Sequence, residues 1–189
     1  MPASEGTFYA RDRDAWRRWL ERNHEGSAGV WLIFYKKASG KRSVPYDEAV
    51  EEALCFGWID GKVQQVDEDA YRQRFSRRRP KSTWAASNKE RVARLIREGR
   101  MSPAGLAAIQ RAKLDGSWTS LDAVDAMTMP DDLGRALAHN KRAARNFESF
   151  SPSARKAFLY WIGTAKRPET RAKRIAETVR RAAANQKLG

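Results

Sequence analysis

A chain of 189 residues with 41% hydrophobic content, seven tryptophans and a formal charge of +14 is too rich in aromatics for a disordered polypeptide and too short for two large domains. No apolar run approaches the ~20 residues of a membrane helix, and Met1 to Thr7 lacks the basic start and apolar stretch of a signal peptide. A single cysteine, Cys55, forms no intramolecular disulfide and suits a reducing compartment, so the expectation is a cytoplasmic protein with no integral membrane segment.

In chain order, Asp12 to Asn23 predicts a helix, with Trp16, Trp19 and Leu20 at the spacing of one buried face. Val30 to Tyr35 is a β-branched and aromatic run that predicts a buried strand. After Pro45, Asp47 is the expected N-cap of a helix that ends at Gly57. Asp60-Gly61 between apolar flanks predicts a two-residue hairpin turn, because such turns need positive φ at both central positions. Tyr71, Gln73 and Phe75 alternate with Arg72, Arg74 and Ser76, the period of a strand with aromatics on one face and arginines on the other. Ser87 and Glu90 have the spacing of a capping box, and Gly99 stops the helix they would open. Ser102-Pro103 starts the next helix, which ends at Gly116. The remainder predicts four helices, Pro130 to His139, Lys141 to Phe150, Pro152 to Lys166 and Pro168 to about Asn185.

These elements predict an α+β protein: a small antiparallel sheet flanked by helices over residues 1–116, a connection over 117–129, and a helical C-terminal module over 130–189.

The charge is concentrated. Residues 71–100 hold 11 Lys or Arg against 2 Glu, and residues 141–181 hold 12 against 3. Each window is +9 while the rest of the chain is net negative, a distribution that favours an anionic partner. Arg77, Arg78, Arg79 and Lys81 run towards Trp84 directly before a predicted helix start, where unpaired backbone N–H groups attract anions. Lys166, Arg167, Arg171 and Arg174 surround the junction of the last two helices and form a second basic site, which an ion-pair network would explain nearly as well.

Neither His24 nor His139 has a second histidine or a spaced carboxylate beside it, so no metal site and no cofactor are expected. Cys55 has no adjacent basic dyad, and no phosphate-binding glycine loop, nucleophile elbow or zinc-protease motif occurs. No catalytic residue is assigned.

The stretch EALCFGWIDGKVQQVDEDAYRQRFSRRRPKSTWAASNKERVARLIREGRMSPAGL resembles the YdeI/OmpD-associated, or bacteriocin-protection, family. Met129 to Leu133 and SPSARKAFLYWIGTAKRPETRAKRI resemble its C-terminal module. The resemblance covers Pro45 to Leu114 and Pro130 to Ala182, with Arg77 where the family pattern implies a proline. It implies a bacterial cytoplasmic α+β protein with a role in tolerance to bacteriocins or envelope stress.

The expected function is non-enzymatic binding of an anionic small molecule or partner in a basic, aromatic-walled pocket. Trp58 and Trp84 would supply its walls, Arg74, Lys81 and Arg91 its charge, and Asp60 and Asn88 its orientation. Two other readings stay open: nucleic-acid binding through both basic blocks, and an enzyme that assembles Asp60 with Tyr71 or Cys55 from distant segments.

Overall fold

The computed structural model describes residues 6–188. The chain divides into two compact units, one ending at Thr119 and the next starting at Ser120.

The first unit is built on a four-stranded sheet. Helix α1 (Arg13–Asn23) opens under Asp12, whose Oδ1 accepts from the Ala15 amide at 2.8 Å, and it buries Trp16 and Leu20. Strand β1 (Thr7–Tyr9) runs parallel to β2 (Gly29–Tyr35), and β2 pairs antiparallel with β4 (Ala70–Arg77), which pairs antiparallel with β3 (Trp58–Gln65). The order is β1-β2-β4-β3, so the sheet is mixed rather than purely antiparallel. Three-residue β1 is too short to show a period of two, which hid it in the sequence.

Along β2, Val30, Leu32 and Phe34 are buried while Trp31, Ile33 and Tyr35 are half-buried. The guanidinium of Arg72 lies over the Trp31 ring at 4.8 Å and Lys41 over Tyr35 at 5.1 Å, so cations cover the second face.

The hairpin turns later than its Asp-Gly pair predicts. β3 passes straight through Asp60-Gly61, with a register shift between Asp60 and Val63, and Gly61 stays outside the left-handed region. Asp60 pairs with Phe75 and Val63 with Gln73, so the irregularity falls on Gly61 and Lys62, opposite Arg74. The turn lies at Asp67, whose Oδ1 accepts from the amides of Asp69 and Ala70, both at 2.8 Å. A side chain that replaces a backbone acceptor two residues on makes a tight turn without glycine.

Helix α2 (Tyr46–Cys55) packs on β3, and α3 (Ala86–Arg97) and α4 (Pro103–Leu114) pack on α2. Ser102 caps α4 as expected, accepting from the Gly105 amide. The other two caps differ. Pro45 precedes α2, and Asp47 lies in its first turn, accepting from Arg91 Nη2 at 2.7 Å. α3 opens at Ala85 with no side-chain cap, so Ser87 and Glu90 form no capping box. Trp16, Leu32, Phe34, Leu54, Trp58, Phe75, Trp84 and Leu95 make one continuous core. Trp118 packs at its edge, 5.0 Å from Trp84 between ring centroids.

Charge is also buried in this unit. Glu52 is fully buried and accepts from Arg13 Nε at 2.6 Å, Arg17 Nη1 at 2.8 Å and Arg100 Nη2. Its neighbour Glu51 pairs with Arg13 at 3.0 Å and with Arg94. Four arginines thus tie α1, α3 and the loop after α3 to α2.

The second unit is helical: α5 (Asp122–Asp125), α6 (Asp131–Ala138), α7 (Lys141–Ser149), α8 (Pro152–Gly163) and α9 (Pro168–Ala183). Asn140 and Ser151 cap α7 and α8 through their side chains. Leu133, Leu137, Phe147, Phe158, Ile162 and Ile175 form its core. Among the described residues, no helix is long and apolar enough to cross a membrane.

Candidate functional site

Arg78 is the most unusual side chain of the first unit. It follows β4 and is only 6% exposed. Its guanidinium carbon lies over Trp84, 3.6 Å from the ring centroid, and Nη1 donates to the Thr83 carbonyl at 3.0 Å, while Nε has no hydrogen-bond partner among the described residues. No described carboxylate forms an ion pair with it. Burial pulls its pKa down to about 10, partly opposed by the charge of Asp60, so it stays cationic at neutral pH.

Local structure fixes this position. The Arg78 amide donates to Gly57 O at 3.0 Å, tying the corner to the junction of α2 and β3. Gly57 has φ +72, and a Cβ there would meet Ala104 O and Ala108 Cβ at 3.0 Å, so α4 lies directly against the junction. On the far side of the corner Lys81, at φ 62, donates its amide to Asp115 Oδ2 at 2.9 Å. Asp115 also accepts from Ser117, and these hydrogen bonds hold its carboxyl below the ordinary value. The arginine run is therefore pinned at one end to Gly57 and at the other to the end of α4.

Between these anchors opens a cleft of about 630 Å³. Arg74, Ser76 and Arg77 line it from β4, Arg78, Arg79 and Pro80 from the corner, and Ala104, Ala107, Ala108 and Arg111 from α4. His24, Glu25, Ala28, Phe56 and Gly57 complete it. Arg74 Nη1 donates to Ser76 Oγ at 3.1 Å, and Arg77, Arg79 and Arg111 are exposed. His24 is oriented from below, with Nδ1 bonded to Leu20 O at 2.9 Å and its carbonyl accepting from Trp58 Nε1 at 3.3 Å. Among the described residues, five guanidinium groups and one carboxylate, Glu25, line the cleft over a floor of small apolar side chains. Such an arrangement offers the donors of charge-assisted hydrogen bonds.

Of the residues the sequence singled out for a pocket, only Arg74 lines this cleft. Trp58 and Trp84 are fully buried in the core, and Trp84 acts from beneath by supporting Arg78. Lys81 belongs to the corner's turn. Asp60, Asn88 and Arg91 lie in a separate polar cluster. There Asp60 Oδ2 accepts from Tyr46 Oη at 2.8 Å and Gln73 Nε2 at 2.9 Å, and Arg91 donates to Asp47 and to Asn88 Oδ1. Burial and the hydrogen bond to Asp60 push the Tyr46 phenol up to about 12.

Asp60 is not brought to Tyr71, which stacks on Phe34 at 5.2 Å, nor to Cys55. Burial and the charge of Glu52 push the Cys55 thiol up to about 11, a protonated and unreactive state at neutral pH. Among the described residues, no group of three His, Cys, Asp or Glu side chains could hold a metal ion.

In the second unit, Arg171 grips Asp132 through Nε at 2.6 Å and Nη2 at 2.9 Å, and it also donates to Ile162 O. Arg174 donates to Trp161 O and to Thr164 Oγ1. Two members of the second basic site therefore satisfy carbonyls at the end of α8, while Lys166 and Arg167 are exposed. The sequence named Arg77 to Arg79 but left out Arg111 and the α4 face. The signal was present as Ala104, Ala107, Ala108 and Arg111 at i, i+3, i+4 and i+7, one helical stripe.

Fold and site together define an α+β protein with an arginine-lined cleft in its sheet-bearing unit, followed by a helical unit. Residues 8–108, more than half of the chain, match the family model described as Domain of unknown function (DUF8412), and the chain belongs to that family. Residues 126–185 match the model described as Bacteriocin-protection, YdeI or OmpD-Associated. The resemblance read from Met129 onwards is thus shown, while Pro45 to residue 108 falls within the other model. No curated protein and no solved structure gives a significant match.

Proposed function

We propose that the first unit is a non-enzymatic binding module that holds an anionic small molecule in the arginine cleft. Arg78 carries this reading. A guanidinium buried without a carboxylate partner costs stability, and an anion that completes the pair removes that cost. Arg74, Arg77, Arg79 and Arg111 add charge at a more exposed level, and the apolar floor gives the ligand a surface to cover. The reading places the protein in the cytoplasm, in keeping with its single, buried cysteine. The description of the family matched by residues 126–185 supports bacteriocin or envelope-stress tolerance as the setting.

Thermal shift and tryptophan fluorescence of the full chain against phosphorylated small molecules, dicarboxylates, and short DNA and RNA, each at low and high salt, test this. The expected result is a saturable shift with a small anion that survives salt, since a partly enclosed pair is screened less than a surface one. Arg74→Ala weakens that binding and leaves the fold intact. A response confined to nucleic acid and lost with salt contradicts the module and establishes polyanion binding in its place.

A further inference from the structure

The arginines set the sign of the ligand, and the remaining walls set its body; this step rests on the reading just given. The cleft volume of about 630 Å³ falls within the ~300–1,000 Å³ typical of small-molecule sites and far exceeds the ~30 Å³ share of one water. A bare inorganic anion would leave most of it unfilled. The remaining surface is apolar: Ala104, Ala107 and Ala108 on α4, with Phe56 and Pro80. Among the described lining residues, Glu25 is the one carboxylate, and the hydroxyl of Ser76 is already bonded by Arg74.

We propose that the cleft takes a small phosphate ester, with its dianionic head among the arginines and an apolar body on the alanine face of α4. Phosphate fits better than carboxylate because the guanidinium groups come from three elements, β4, the corner after it and α4. A phosphate monoester offers three terminal oxygens in three directions, whereas a carboxylate offers two in one plane. Arg78, fixed by Trp84 and Thr83 O, is the preorganised member of the set.

Calorimetric titration of the full chain with phenyl phosphate, inorganic phosphate, phthalate and phenol, at about 150 mM salt, tests the proposal. The ester binds at least roughly tenfold more tightly than inorganic phosphate, and phthalate and phenol do not saturate. Ala107 is exposed, so Ala107→Gln places a polar side chain on the floor without disturbing the core, and it removes the ester's advantage over inorganic phosphate. Vesicles containing phosphatidic acid identify the source: competition with phenyl phosphate assigns a membrane lipid head, and no competition a soluble ester, both in keeping with the proposal. Equal affinity for ester and inorganic phosphate, or an advantage that survives Ala107→Gln, overturns the apolar body while the anion cleft stands. Tighter binding of phthalate overturns the choice of phosphate. No binding by any anion overturns the cleft reading itself.

Discussion

Adding a Cβ to Gly105 would place it 2.2 Å from Cys55 O, 2.7 Å from Cys55 C and 2.8 Å from Met101 Cε. The contact is with backbone, which cannot swing aside, so Gly105→Ala forces α4 off the end of α2. The expected cost is about 1–3 kcal/mol, the range of overpacked sites, read as a lower urea midpoint. Glu52 is critical for the opposite reason: it is the charge that three arginines need. Glu52→Gln leaves Arg13, Arg17 and Arg100 around a neutral amide, and removing one partner of a buried pair costs about 3–5 kcal/mol. A loss below about 1 kcal/mol in the same titration would show the arginines relaxing to solvent. Neither role was legible in the sequence. Gly105 reads as an ordinary helical position, and the partners of Glu52 lie 35 to 48 positions away, beyond any local pattern.

Elements were legible where their signals are local. Ser102-Pro103 and Ser151-Pro152 opened helices as expected, because cap and proline act within one turn. Elsewhere, competing chemistry won: Asp67 offered a side-chain turn, so Asp60-Gly61 remained inside β3 at a register shift, and Arg91 engaged Asp47 within the first turn of α2. In the helical unit, α6 and α9 are joined by Asp132 and Arg171. The hydrogen bonds of Arg171 are the main cause that holds the Asp132 carboxyl below its ordinary value. A carboxylate with a depressed folded pKa contributes stability above its unfolded value and loses it as pH falls through the folded one. Asp132→Asn therefore destabilises this unit at neutral pH, and the difference from the parent shrinks as pH falls through and below the ordinary carboxylate range. Circular dichroism melts across that range check it; a difference constant with pH would assign the effect to packing.

Across the whole molecule, the charge blocks were visible in the sequence but their pairing was not. Within the first block Arg72 is bonded to Gln64, Arg91 to Asp47, Arg94 to Glu51 and Arg100 to Glu52. What concentrates at the cleft is a subset, Arg74 and Arg77 to Arg79, joined by Arg111 from outside the block. In the second block Arg180 and Arg181 both donate to Glu177, whose carboxyl they pull down to about 2. Counting cations located the basic region, while only the fold separates Arg78, buried and without an ion-pair partner among the described residues, from its paired neighbours. The most direct measurement is therefore calorimetric titration of phenyl phosphate into the parent and Arg78→Met, with a thermal melt of each. The account predicts binding at least roughly tenfold weaker in the variant at an unchanged or higher melting midpoint, because methionine fills the apolar space on Trp84 without a charge to bury. Equal affinity in the two proteins, or binding lost together with the fold, would contradict it.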